Sequence, residues 1–234
     1  MNGHELAIPF DINALHENLI LKFLKKIGYY IKEFIKRVID ILGALCGLII
    51  VIPLTILTFI ENIKNKDYGP IFFSQERIGK DGKLFKMYKF RSMVMDADAK
   101  LEKILKENEE AAKEYAKYKK LQNDPRVTKW GDFLRRTSLD EFPQFLNVLK
   151  GEMSLVGPRP YLPREKEDMG TYYKYIIQHK PGVTGLWQIN GRSEVTFNDR
   201  LDMDMQYHYR KSFKNDIKIL LITALITLKR KGAV

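Results

Sequence analysis

The sequence predicts a mainly α protein with one small β-hairpin, an α+β fold assembled around a membrane-embedded helix. Three observations carry this: an uncharged 20-residue run at 41–60, helical spacing of apolar residues on either side of it, and one stretch of β texture at 69–93 punctuated by Asp81–Gly82. The chain has 234 residues, 45% hydrophobic and 29% charged, enough to bury a core and unlike a disordered polymer. Its net charge of +11 calls for an anionic partner: nucleic acid, an acidic lipid surface or a phosphorylated substrate. Cys46 is the only cysteine, which excludes an intrachain disulfide and a cysteine metal cluster and fits a reducing compartment.

The first element is a helix over 15–39. Leu19, Ile20, Phe23, Leu24, Ile27, Ile31, Phe34, Ile35 and Val38 recur at helical spacing beside lysines 22, 25, 26, 32 and 36. An apolar face bordered by lysines suits the membrane interface. Residues 1–39 are therefore taken as an N-terminal interfacial segment, and 40–62 as the membrane helix. The uncharged run would span roughly 30 Å as a straight helix, about one hydrocarbon core. Pro53 interrupts it by removing the donor for the Ile49 carbonyl, leaving arms of about 18 Å and about 10 Å, neither of which crosses a bilayer alone. Both flanks are basic, with Lys25, Lys26, Lys32, Lys36 and Arg37 before and Lys64, Lys66, Arg77, Lys80 and Lys83 after. Orientation follows charge asymmetry, and here there is none. The expectation is a re-entrant hairpin broken at Pro53, with both ends on the cytoplasmic side; a kinked spanning helix is the alternative.

Residues 63–234 form the expected compact cytoplasmic domain. Two strands in 69–93 are joined by the Asp-Gly turn. A charged helical insert at 96–122, interrupted near Asn108, reads as a solvated face without chemistry, ending at Asn123–Asp124–Pro125. A short helix follows around Lys129–Arg136, then the acid pair Asp140–Glu141, a helix to about Leu149 and a stop at Gly151. The loop GEMSLVGPRPYLPRE precedes a helix over 163–179, and 179–193 is read as mostly loop. Helices follow at 196–210 and 213–231, the last interfacial, its apolar residues fenced by Lys214, Lys218 and Lys229–Lys231.

The chain lacks a Walker A motif, G-x-G-x-x-G, H-E-x-x-H and G-x-S-x-G, and its four histidines are scattered. What stands out is Asp140–Glu141 in a basic chain. With Ser138 or Asp140 as N-cap, both acids sit at a helix N-terminus. Capping and catalysis explain the pattern about equally. The cations Lys89, Arg91, Arg135, Arg136, Arg159 and Arg192, clustered near turns, are what a pyrophosphate substrate needs, since arginine binds phosphate oxygens in pairs.

KFRSM at 89–93, RRTSLDEFPQFLNVLKGEMSLVGPRP at 135–160, KPGVTGLWQINGRS at 180–193 and DIKILLITALITL at 216–228 together resemble the bacterial sugar transferases, the monotopic polyprenyl-phosphate hexose-1-phosphate transferases. The resemblance covers about 36–234, and the insert closing with LQNDPRVTKWGDFLRRTS is similar to the galactose- and glucose-phosphate branch. That branch often carries a larger membrane-spanning N-terminal region, beside which this chain reads as a short form or a truncation. The resemblance implies Mg²⁺-dependent transfer of hexose-1-phosphate from a UDP-sugar, UDP-galactose or UDP-glucose, to undecaprenyl phosphate with release of UMP. It places the protein in the bacterial inner membrane with its active site on the cytoplasmic face, at the first membrane step of exopolysaccharide, capsule, O-antigen or glycoprotein glycan synthesis. Asp140 matches the family's nucleophile and Glu141 its dyad partner, the two also holding the metal. Lys89, Arg91, Arg136, Arg159 and Arg192 fall in matching motifs as phosphate-binding candidates. A homodimer is implied and nucleic acid is not a partner. The family's helix break often carries Ser-Pro, where this chain has Ile52–Pro53. The reading from another class is a non-catalytic basic protein bound peripherally to membrane or to nucleic acid.

Overall fold

The computed structural model describes residues 12–191 and 195–228, with side chains from 21 to 227 within those ranges. The chain divides into two compact units, 1–39 and 40–234. The first helix, α1 (Ile12–Lys64), continues through Pro53 without an interruption. In its first unit Leu21, Phe23, Leu24, Ile27, Ile31 and Phe34 are exposed.

From Asp40 onward α1 is a structural member of the second unit. Asp40, Ala44, Gly47, Leu54 and Thr58 are buried and Val51 and Glu61 half-buried, a single face at spacings of three and four. Gly47 is needed there, because a Cβ would meet the Phe145 ring at 2.2 Å. The Asp40 carboxylate accepts from the Ser154 hydroxyl at 3.1 Å and the Leu155 amide at 3.0 Å, and the Trp130 indole donates to Thr58 at 3.1 Å. Leu54 closes a cluster with Phe90 and Leu134, flanked by Val51, Ile71, Trp130 and Leu139. The opposite face exposes Leu42, Leu45, Ile49, Ile52, Ile56 and Phe59. A contiguous apolar face of this kind is rare on a protein surrounded only by water. By length and mean hydropathy α1 could cross a membrane.

Strands β1 (Phe72–Ile78) and β2 (Leu84–Phe90) form the expected antiparallel hairpin, Phe72 opposite Phe90 and Ile78 opposite Leu84. Its connection is a 79–83 loop rather than a two-residue turn, with Asp81 and Gly82 at φ 58° and 75°. The insert is two helices, α2 (Ala97–Glu107) and α3 (Glu109–Tyr118), divided at Asn108, whose side chain accepts from the Ala111 amide. Helix α4 spans Lys129–Arg136, capped by Thr128, and α5 spans Gln144–Lys150, stopped by Gly151 at φ 81°.

Two expectations need correction. The single helix predicted over 163–179 is a series of one-turn pieces that includes α6 (Lys166–Met169) and α7 (Tyr173–Ile176), broken at Gly170, whose φ is 50°. The loop predicted over 179–193 contains a strand and a helical turn. Strand β3 (Ser154–Val156) pairs in parallel with β4 (Gly182–Thr184), and α8 (Leu186–Ile189) follows. Helices α9 (Phe197–Arg210) and α10 (Phe213–Leu228) complete the described chain. Residues 229–231 of the predicted last helix lie outside it. A second core of Ile78, Tyr161, Met169, Ile176, Phe197 and Leu201 joins β1, α6, α7 and α9.

Gly131 of α4 packs against backbone: a Cβ would stand 1.9 Å from the Ser92 carbonyl oxygen. Gly131→Ala is therefore expected to cost about 2 kcal/mol by overpacking. The check is a fall of several degrees in the melting temperature of the detergent-solubilised protein.

Candidate active site

Asp140 and Glu141 lie in a one-turn 3₁₀ segment, Leu139–Glu141, between α4 and α5. Ser138 enters it at φ 58°, reversing the chain so that α5 leaves in a new direction. Neither acid caps α5. Pro143 holds the N-cap position with no side-chain bond, and Ser138 makes no capping bond either. The capping expectation fails because the turn has its own backbone bonds, Ser138 amide to Arg135 carbonyl at 3.0 Å and Phe142 amide to Leu139 carbonyl at 3.3 Å. Both carboxylates are left to other partners.

Those partners come from β2. Lys89 donates to Glu141 at 2.7 Å and stands 3.7 Å from Asp140. Asp140 is 7% exposed. Burial pushes its carboxyl up to about 6, against the opposing pull of Lys89; Glu141 adds to the rise and Arg135 opposes it. Burial also works against ionising Glu141, but the charge and hydrogen bond of Lys89, with Arg159 and Arg77 behind them, hold it below the ordinary carboxylate value. Adjacent carboxylates with opposite shifts are the pattern of paired acids with separate roles.

Asp140 opens onto a cleft of about 1080 Å³, of nucleotide size. Arg77, Lys89, Arg135 and Arg159 line it together with Asp140, as do Tyr115 and Lys119 of the insert. The insert, for which the sequence predicts only a solvated face, is thus a wall of the cleft. Lys119 pairs with Asp168 at 2.8 Å, Arg164 donates to the Tyr115 hydroxyl at 3.2 Å, and Arg200 donates to the Tyr118 carbonyl at 3.0 Å.

The predicted cations separate into groups. Lys89 and Arg159 come together with the dyad. Arg91 lines the cleft but gives its donors to Asp67, at 2.9 and 3.0 Å, and to the carbonyls of Pro70 and Met93. It acts as a clamp between β2 and the end of α1 rather than as an open phosphate ligand. Arg136 sits on the rim, paired with Asp132 at 3.1 Å. Arg192 lies outside the described residues. Arg135, singled out only as one of several cations, donates to the Ser92 hydroxyl at 2.9 Å and faces Asp140 electrostatically. Arg77, which nothing in the local sequence marked, is buried in the cleft floor.

Among the described residues no group of three histidine, cysteine, aspartate or glutamate side chains gathers in one place. The dyad alone offers two carboxylates, and the Lys89 ammonium between them shows that the spot accepts a cation. This fits Mg²⁺, which is commonly held by one or two carboxylates with water and substrate oxygens completing its shell.

Arg159 is fixed from behind. Its amide donates to Asp204 of α9 at 3.0 Å, the Tyr161 hydroxyl donates to the same oxygen at 2.8 Å, and its guanidinium packs over Trp187 at 5.5 Å. Burial raises the Asp204 carboxyl to about 7 despite these donors. The folded protein then keeps a proton that the unfolded chain loses near pH 4, so the contribution is largest at low pH and is lost as pH rises through about 7. Melting temperature is expected to fall from about pH 4 to about pH 7 and to do so less steeply in Asp204→Asn.

The geometry can be set beside known proteins. The family model described as bacterial sugar transferase matches residues 31–230. The chain is 43% identical over 218 residues to an undecaprenyl-phosphate galactose phosphotransferase of Salmonella typhimurium, covering 93% of this chain and 45% of that protein. It is 39% identical over 245 residues to the UDP-glucose:undecaprenyl-phosphate glucose-1-phosphate transferase of Escherichia coli, covering 97% and 49%. It is 42% identical over 198 residues to the exopolysaccharide production protein ExoY of Rhizobium meliloti, covering 85% and 87%. The chain spans about half the length of the first two of these relatives. With the family model matched over residues 31–230, from within α1 through α10, and a relative covered almost throughout, the chain belongs to the bacterial sugar transferase family.

Proposed function

We propose that this chain transfers hexose-1-phosphate from a UDP-sugar, UDP-galactose or UDP-glucose, to undecaprenyl phosphate. The observation that carries this is Asp140, a buried carboxylate opening onto a cation-lined cleft of nucleotide size, in a unit one of whose helices exposes an apolar face. In the first step an Asp140 carboxylate oxygen bonds to the β-phosphorus of the donor. The bond from that phosphorus to the bridging oxygen breaks, and UMP leaves with the oxygen and its electron pair. In the second step a phosphate oxygen of the lipid bonds to the same phosphorus and returns Asp140 as a free carboxylate, giving undecaprenyl-diphosphate-sugar. Mg²⁺, when held by Asp140 and Glu141, would neutralise charge on the phosphoryl oxygens. Lys89 keeps the dyad ionised, and Arg159 and Arg135 offset phosphate charge.

In this reading the exposed face of α1 sits in lipid, the helix bends at Pro53 while remaining helical so that both its ends lie on the cytoplasmic side of the inner membrane, and the cleft lies at headgroup level. The protein works as a homodimer without nucleic acid, at the first membrane step of a surface glycan. The test is UMP release by the detergent-solubilised chain with undecaprenyl phosphate and a panel of UDP-sugars. Release of UMP with one of the two hexose donors is expected, and none with any donor would overturn the reading.

A further inference from the structure

Arg77 lies on β1, 9% exposed, in the floor of the cleft. One terminal nitrogen donates to the Pro160 carbonyl at 3.0 Å and the other to the Gln75 side chain at 2.7 Å. Its Nε is buried without a partner, as is the Nε of Arg159. The next residue in the strand reinforces the link, since the Ile78 amide donates to the Tyr161 carbonyl at 2.8 Å. The end of β1 is therefore stitched to the turn that carries Arg159.

A buried and a half-buried guanidinium facing one cleft repel each other. Burial and then the charge of Arg159 lower Arg77 to about 9, with Glu165 and Glu141 opposing the fall. Neither of those acids is at its disposal as an ion-pair partner. Glu165 accepts from the Leu162 amide at 2.7 Å, and Glu141 is paired with Lys89. Two neighbouring cations with unused donors are costly in isolation and favourable around an anion.

We propose that Arg77 is the second phosphate-binding arginine of this cleft, taking a phosphoryl group of the donor between itself and Arg159 while its bond to Pro160 aims the Arg159 turn. The proposal rests on the nucleotide-sugar reading and adds a residue that the motif set did not mark.

The experiment compares the parent chain with Arg77→Gln and Arg77→Lys. UDP affinity is measured by calorimetry in detergent, with melting temperature and UMP release measured alongside. Glutamine can still donate to the Pro160 carbonyl but carries no charge, whereas lysine keeps the charge and loses the fork. Affinity for UDP is expected to fall about tenfold or more in Arg77→Gln, the scale of one lost charged hydrogen bond, and less in Arg77→Lys. KM for the UDP-sugar should rise more than kcat falls. UDP affinity in Arg77→Gln equal to the parent's would overturn the proposal. So would a loss in both variants that tracks melting temperature and not charge. Should Arg77→Gln not fold, Arg77→Lys decides alone, and parental affinity there overturns the proposal. A parent that binds UDP but releases no UMP from any UDP-sugar counts against the transferase reading, and the comparison of UDP affinities still decides the role of Arg77.

Discussion

Asp140→Asn is expected to lower UMP release by at least about a thousandfold, the scale of losing a covalent nucleophile. The amide keeps the shape of the carboxylate and removes the attacking oxygen anion, so the loss should fall on kcat, with UDP affinity largely retained. Two further signs follow from burial, which raises the Asp140 carboxyl to about 6. In the parent, activity should fall about tenfold per pH unit below about 6, because only the ionised form attacks. Above that pH the folded protein holds a buried charge that is costlier than the same charge in the unfolded chain, so the stability present at low pH is lost as pH rises through about 6. Asp140→Asn should therefore melt at a higher temperature than the parent at pH 8 while being inactive. A variant that keeps full turnover would remove Asp140 from the chemistry.

Lys89→Met is expected to cost about a hundredfold in kcat/KM at neutral pH, similar to removing one well-placed electrostatic group from a reacting centre. Lys89 is the chief influence opposing the rise of Asp140, and it supplies the hydrogen bond that keeps Glu141 low. Without it, two carboxylates face each other with less compensation and both become harder to ionise. The acid limb of the activity profile should move to higher pH. An unshifted limb would mean that Lys89 is only a wall of the cleft. Lys89→Arg, keeping the charge, should recover part of the loss.

Much of this fold was legible because local chemistry agreed with it. Asp81–Gly82 marks the reversal of the hairpin, Asn108 divides the insert, and Gly151 stops α5 with its left-handed conformation. The β3–β4 pair was not legible. Strands of three residues show no alternation, and their partners lie far apart in the chain. At the site, the acid pair and Lys89 could be named from motifs, but what each cation does depends on contacts across long separations. Arg91 looks like any cleft arginine until Asp67, 24 residues earlier, is found holding it. Arg77 carried no signal of its own, because its burial comes from a turn 83 residues later.

The Asp40 carboxylate accepting from the Ser154 hydroxyl and the Leu155 amide, and the Thr58 hydroxyl accepting from the Trp130 indole, make the greasy helix a beam of the second unit instead of a detachable tether. Excising it would strip the cover from Phe90, Leu134, Phe145 and Leu155 together. A version of this unit without the helix is thus not available by trimming: the helix that presents the apolar face also keeps the cleft in shape.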